Sequence, residues 1–135
     1  MLPDFVETSL RFSIMAVAEE HEARKEANTD MENRQLHALL DMTGRVAIVT
    51  GGHAWLGHDM ACALAEFGCD LIITSREQAR ADQAASAIAA QYGVQAIGLT
   101  LEQKNYASVQ AMADAAFTWQ GRIDVLINNA GGGSG

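Results

Sequence analysis

An open, doubly wound parallel β-sheet with helices on both faces is the α/β fold this sequence predicts for residues 42–135, and three observations predict it. Short β-branched apolar runs alternate with helix-length stretches in the order β-α-β-α-β-α-β. The runs are almost continuously apolar, the pattern of strands covered on both faces. Glycines punctuate the chain where the first run ends and where each helix stops.

The elements follow in order. Arg45–Thr50 (RVAIVT) is the first strand. Gly57–Phe67 is a helix with Met60, Leu64 and Phe67 on its apolar face and Ala61 and Ala65 beside them, closed by Gly68. Leu71–Thr74 is the second strand. Glu77–Tyr92 is an alanine-rich helix with Ala81, Ala84, Ala85 and Ile88 at inward spacing, stopped by Gly93. Val94–Leu101 makes the third strand. Tyr106–Gln120 is a helix with Val109, Met112, Ala113 and Ala116 inward, stopped by Gly121, and Asp124–Asn128 is the fourth strand. Right-handed crossovers between such strands favour a doubly wound sheet.

Residues 1–41 have a different texture. They carry 9 acidic and 4 basic side chains, against 8 and 5 in 42–135. Six acids fall within the fourteen residues Glu19–Glu32, and pairs such as Glu20–Arg24 have helical i,i+4 spacing. The expectation is an acidic extension, either a solvated helix or disordered. The short apolar stretch Phe12–Ala18 ends in a small-residue pattern resembling a signal cleavage site. It is too brief, and is preceded by Asp4 and Glu7 against Arg11 alone, so secretion is not expected.

Of the 135 residues, 9 are Lys or Arg and 17 are Asp or Glu, a net charge of −8 that offers no basic stripe to nucleic acid or to an anionic membrane. No run of apolar residues is long enough to span a bilayer. Cys62 and Cys69 match no zinc spacing and build no disulfide framework, so reduced thiols and a cytoplasmic location are expected, with no metal.

The informative segment is Thr50-Gly51-Gly52-His53-Ala54-Trp55-Leu56-Gly57, between the first strand and its helix. Glycines there let backbone N–H groups approach a phosphate, and the helix beginning near Leu56 adds unpaired donors and its positive dipole end. Tight turns also use glycine, so position between strand and helix carries the argument. His53 is expected to be a solvent-exposed loop residue rather than a ligand. The second strand ends in Ser75-Arg76, where NAD sites place an acid for the ribose 2′-OH about 20 residues past the loop. A guanidinium instead grips a 2′-phosphate, which reads as NADP; the alternative is a surface arginine opening a helix.

With Thr50-Gly51…Gly57, Ser75-Arg76, Glu102 after the third strand and Asn128-Asn129-Ala130-Gly131 after the fourth, the sequence over residues 43–135 resembles the short-chain dehydrogenase/reductase family. The resemblance implies a Rossmann-type fold with sheet order 3-2-1-4 and nicotinamide-dinucleotide binding. It implies NADP in preference to NAD, and hydride exchange between an alcohol and a ketone. A sugar acid or polyol, as in gluconate 5-dehydrogenase-like members, is the preferred substrate. The implied cofactor residues are Thr50, Gly51, Gly52, Leu56, Gly57, Ser75, Arg76, Glu102, Asn129, Ala130 and Gly131. Glu102 stands where the family has an Asp that contacts adenine; it reads equally as a helix-start carboxylate. Ala130 and Gly131 would lie against the cofactor's ribose, and Asn128 and Asn129 would tie the sheet's top edge to neighbouring backbone.

Two glycine spacings occur in that family. T-G-x-x-x-G-x-G requires glycine where this chain has Trp55, and T-G-x-x-G-x-x-G requires it at Ala54. A methyl group intrudes less than an indole, so the second register is expected. The catalytic Ser and Tyr-x-x-x-Lys that the resemblance implies would fall beyond Gly131. Tyr92 and Tyr106 are followed four residues on by Ala96 and Gln110, so neither substitutes. The expectation is the cofactor-binding half of an enzyme cut short at Gly135, with the complete enzyme a homo-oligomer. The competing reading is a catalytically silent dinucleotide-binding or interaction module. By itself this half-sheet, with its fourth strand an open edge, is expected to associate non-natively and to show no turnover.

Overall fold

The computed structural model describes residues 4–131 and divides the chain between Leu40 and Asp41. The first unit is α1, a helix over Asp4–Leu40. No glycine or proline interrupts it, and Ala, Glu, Met, Leu, Arg and Lys dominate its sequence, so intrinsic propensity sustains its length. Thr8 and Thr29 bond their hydroxyls back to the carbonyls of Asp4 and Lys25, and Arg11 pairs with Glu7 at 3.3 Å. Phe12, Ile14, Met15 and Val17 are all exposed and point around the helix, so they form no single apolar stripe. No helix among the described residues is long and apolar enough to cross a membrane.

The second unit begins with a turn in which the Asp41 carboxylate accepts from the Thr43 N–H and hydroxyl. Four parallel strands follow: β1 (Val46–Val49), β2 (Asp70–Ser75), β3 (Ala96–Thr100) and β4 (Val125–Ile127), ordered β3-β2-β1-β4. Between them run α2 (Trp55–Glu66), α3 (Gln78–Tyr92) and α4 (Tyr106–Gln120). Val46 pairs with Asp70, Ala47 with Val125 and Leu71 with Ala96.

Strand alternation divides the apolar side chains between two layers. Ala47, Val49, Leu71 and Ile73 face Ala61 and Ala65 of α2 and Ala84, Ala85 and Ile88 of α3. Val46, Ile48 and Ile72 face Met112 and Ala116 of α4. The chain therefore winds over one face through α2 and α3, then crosses to the other through α4 and sets β4 beside β1. That reversal opens a crevice at the carboxyl ends of β1 and β4.

Three expectations change in detail. The first, third and fourth strands are one or two residues shorter at each end than expected and the second is one residue longer at each end, because ladder pairing rather than residue type sets the bounds. The start of α2 lies at Trp55 rather than Gly57. Its buried face is Gly57, Ala61 and Ala65, while Met60, Leu64 and Phe67 are half-buried at its flanks. Small residues face inward because α2 lies close against the sheet.

Gly98 shows how closely the layers approach. A Cβ there would meet the backbone N of Asp82 and lie 2.5 Å from the Ala81 carbonyl carbon, so β3 runs directly beneath α3. Gln78 bridges the same pair, donating to the Gly98 carbonyl at 2.8 Å and accepting from the Thr100 hydroxyl at 2.7 Å. We expect Gly98→Ala to lower stability by about 1–3 kcal/mol, the usual result of overpacking, measured by urea unfolding.

Asp124 anchors the start of β4. Its carboxylate accepts from the Val46 N–H at 2.9 Å and from Arg122 and Arg45. Those hydrogen bonds, Arg122 first, hold its carboxyl well below the ordinary carboxylate range. A lowered folded-state pKa gives stability that is present above the unfolded value and is lost as pH falls through the folded one. The urea midpoint should therefore fall as pH drops below about 4. Asp124→Asn should start lower at neutral pH and show a shallower acid dependence.

Candidate functional site

The crevice between β1 and β4 is closed by interlocking backbone. Thr50, 3% exposed, lies just past β1. Its N–H donates to the Ile127 carbonyl at 3.0 Å, its hydroxyl accepts from the Ala130 N–H at 2.9 Å, and its carbonyl accepts from the Asn129 side-chain amide at 3.2 Å. Thr50 thus joins the loop after β1 to the loop after β4. Gly51 follows with φ +63 and donates its N–H to the hydroxyl of Thr74, a buried residue near the end of β2. Thr74 was not among the residues read as functional; a polar residue closing an apolar strand was the available signal.

The glycines fit against these groups. A Cβ on Gly57 would stand 2.5 Å from both the Asn129 amide nitrogen and the Gly51 carbonyl oxygen. One on Gly51 would meet Ala130 at 3.2 Å, and one on Gly52 the Val49 carbonyl at 3.0 Å. Thr50, Gly51, Gly52, Gly57, Asn129 and Ala130 therefore form one floor. Above it the first turn of α2 begins at Trp55, preceded by the N-cap Ala54, which offers no side-chain cap to the helix N–H groups. This glycine-rich loop, packed at Gly57 against Asn129 and Gly51 and followed by helix N–H groups with no side-chain cap, fits a phosphate-bearing ligand at a helix N-terminus.

The loop's register differs from expectation. Ala54 has φ −154, extended backbone that any residue adopts. Trp55 has φ +53, the one non-glycine residue with positive φ among those described. The position that calls for glycine is therefore 55, so T-G-x-x-x-G-x-G is the pattern the loop follows and the Ala54 register is overturned. The indole is 90% exposed, which is how a bulky residue is accommodated at a strained site. Leu56 beside it is also exposed. His53 is half-buried with its Nδ1 enclosed and unbonded, not the exposed loop histidine expected.

The remaining candidates lie along the same edge. Ser75 is buried, and its hydroxyl accepts from the Glu77 N–H at 3.2 Å, holding the turn into α3. Arg76 projects into solvent, as does Gly131. Glu102 is exposed; its Oε1 accepts from the Lys104 N–H at 3.3 Å, and its own N–H donates to the Ser108 hydroxyl. The helix-start role read for it falls to Asn105, which accepts from the Ser108 N–H as the N-cap of α4. Asn128 accepts from Gln103 at 3.3 Å, linking the loops after β3 and β4.

A family profile described as short chain dehydrogenase matches residues 45–135. Among curated relatives, the chain is 34% identical over 95 residues to the 2-dehydro-3-deoxy-D-gluconate 5-dehydrogenase of Escherichia coli, covering 70% of this chain and 36% of that protein. Among solved structures it is similar to the L-sorbose reductase of Gluconobacter frateurii complexed with NADPH and L-sorbose. There the TM-score is 0.66 at 29% identity, over 70% of this chain and 36% of that one. The NADPH-dependent 3-quinuclidinone reductase of Rhodotorula rubra gives 0.68 at 31% identity, over 72% and 36%. The chain spans about a third of the length of the curated relatives it matches.

Left-handed backbone costs a non-glycine residue roughly 1–2 kcal/mol. Trp55→Gly relieves that strain at the expense of a freer unfolded chain, and the net gain we expect is about 0.5–1 kcal/mol in urea unfolding. A loss of stability would mean that the indole makes contacts outweighing its backbone strain.

Proposed function

Since the chain belongs to the short-chain dehydrogenase family, we propose that residues 42–135 are the nicotinamide-dinucleotide-binding part of an oxidoreductase that prefers NADP(H) to NAD(H). The observation that carries this reading is the cradle of Gly51, Gly52 and Gly57 at the β1–β4 crevice, tied to Asn129 and Ala130 by Thr50. Bound there, a nicotinamide supplies hydride exchange with the substrate carbon.

This chain's residues would bind and orient. The loop brings backbone N–H groups against the pyrophosphate, with Leu56 and Gly57 in the first turn of α2. Ala130 and Gly131 face the ribose. Glu102, with Oε1 occupied by Lys104, would take the adenine amino group on its second oxygen. Ser75 fixes the turn that presents Arg76, whose guanidinium meets the 2′-phosphate. The absence of an acid at this strand end supports NADP over NAD. The NADPH named for the two similar reductases supports it too.

For the whole protein we propose an alcohol/ketone pair as substrate, a sugar acid or polyol first, in line with similarity to the gluconate dehydrogenase. A homo-oligomer in the cytoplasm completes the reading. The second reading, a silent dinucleotide-binding module, draws on the lack of a Tyr-x-x-x-Lys at Tyr92 or Tyr106. Binding without turnover, once the chain is completed with the carboxyl-terminal part of a relative, would favour it.

Calorimetric titration of that completed chain tests cofactor choice. NADPH should bind more tightly than NADH, and Arg76→Ala should weaken NADPH by about tenfold or more, the loss of a charge-assisted contact. An NAD preference, or unchanged NADPH affinity in the variant, overturns the NADP reading.

A further inference from the structure

A charge pair stands at the corner between β2 and α3, next to Arg76. Glu77 is the N-cap of α3, yet its side chain caps no helix N–H. Its carboxylate turns to Arg80 instead, with Oε2 at 3.1 Å from the guanidinium Nε. The backbone sets that spacing, because the Glu77 carbonyl accepts from the N–H groups of Arg80 and Ala81 and so opens the first turn of the helix. On the strand side the Glu77 N–H donates to the buried Ser75 hydroxyl at 3.2 Å. Strand end, Arg76 and ion pair are therefore parts of one corner.

The two side chains of the pair are 60% and 63% exposed, so their contact adds little to folding stability. Its consequence is electrostatic and local. Arg76, one residue before Glu77, pairs with no carboxylate among the described residues. Neighbouring α-carbons are about 3.8 Å apart, and salt screens charges only beyond about 10 Å, so a phosphate held by Arg76 feels the Glu77 charge. An acid at this end of the second strand accepts from a ribose 2′-OH and repels a 2′-phosphate. Glu77 alone would therefore work against Arg76.

We propose that Arg80 is a specificity-determining residue that acts through Glu77: by holding and offsetting that carboxylate it preserves the preference for a 2′-phosphorylated dinucleotide. The inference rests on the cofactor reading above and assigns a role to two residues which that reading leaves out. Arg76 binds the phosphate, and Arg80 keeps the neighbouring acid from opposing it. Arg80 itself makes no contact with the ligand. A dinucleotide with a free 2′-OH carries no charge at that position, so the pair leaves its affinity unchanged.

Calorimetric titration of the full 135-residue chain with NADPH and with NADH tests this, with circular dichroism confirming each variant's fold. Arg80→Gln should weaken NADPH about threefold and leave NADH unchanged, the size expected of one exposed charge. Glu77→Gln should tighten NADPH by a similar factor, and the double variant should recover the native ratio of affinities. Raising salt to about 0.5 M should shrink all three effects. Unchanged NADPH affinity in Arg80→Gln overturns the proposal. So does a double variant as weak as Arg80→Gln alone, since Arg80 would then touch the phosphate itself. Should Arg80→Gln fail to fold, Glu77→Gln decides, and NADPH binding no tighter than native overturns the proposal. A native chain without NADPH preference removes the cofactor reading and this inference together; a native preference that ignores both substitutions removes this inference alone.

Discussion

The contact between the loop after β1 and the loop after β4 is the constraint on which the rest of this unit depends. Thr50 meets the β4 side through its N–H, hydroxyl and carbonyl, bonding Ile127, Ala130 and the Asn129 amide. Gly57 must pass under that amide with no room for a Cβ. One residue therefore ties the loops that follow β1 and β4 together, and one glycine brings the start of α2 onto the joint. Because α2 leaves β1 over one face of the sheet and α4 leads into β4 over the other, the same joint lies at the crevice where a ligand of an open α/β sheet sits. Fold closure and the proposed ligand cradle share a set of atoms.

Close approach is the common theme on the α2–α3 face. Ala61 and Ala65 on α2, Ala81, Ala84 and Ala85 on α3, and Gly98 on β3 are small where helix meets sheet. Small faces bury little apolar area per residue, so the larger side chains Leu71, Ile73 and Ile88 supply most of the packing from the sheet and from one helix position. Across the sheet, Met112 and Leu101 fill the space under α4. The outer edge of β4 has no partner strand among the described residues, and Leu126 on that strand is exposed.

Strain and exposure coincide at one residue of the cradle. Trp55 holds a left-handed backbone at the first position of α2 with its indole in solvent. A glycine would satisfy the backbone without either penalty. The surrounding lattice of Thr50, Gly51, Gly57 and Asn129 over-determines the turn, so the local preference of tryptophan is overridden rather than the loop being remodelled around it.

Much of this was legible in the sequence, for reasons visible in particular residues. Continuous apolar runs such as Val46–Val49 and Leu71–Ile73 mark strands covered on both faces, and the inward residues Ala81, Ala84, Ala85 and Ile88 of α3 follow from helical spacing alone. The Asn128-Asn129-Ala130-Gly131 segment pointed to the family and so to the β3-β2-β1-β4 order. Tertiary structure alone decided the rest. Periodicity weighs apolar volume and so placed Met60 and Leu64 inward on α2, whereas the distance between helix and sheet selects Gly57, Ala61 and Ala65. Motif spacing left two glycine registers open, because a one-residue shift leaves both patterns one glycine short; the backbone angle at Trp55 settles it, in a turn whose Gly57 packs against Asn129 some 70 residues away.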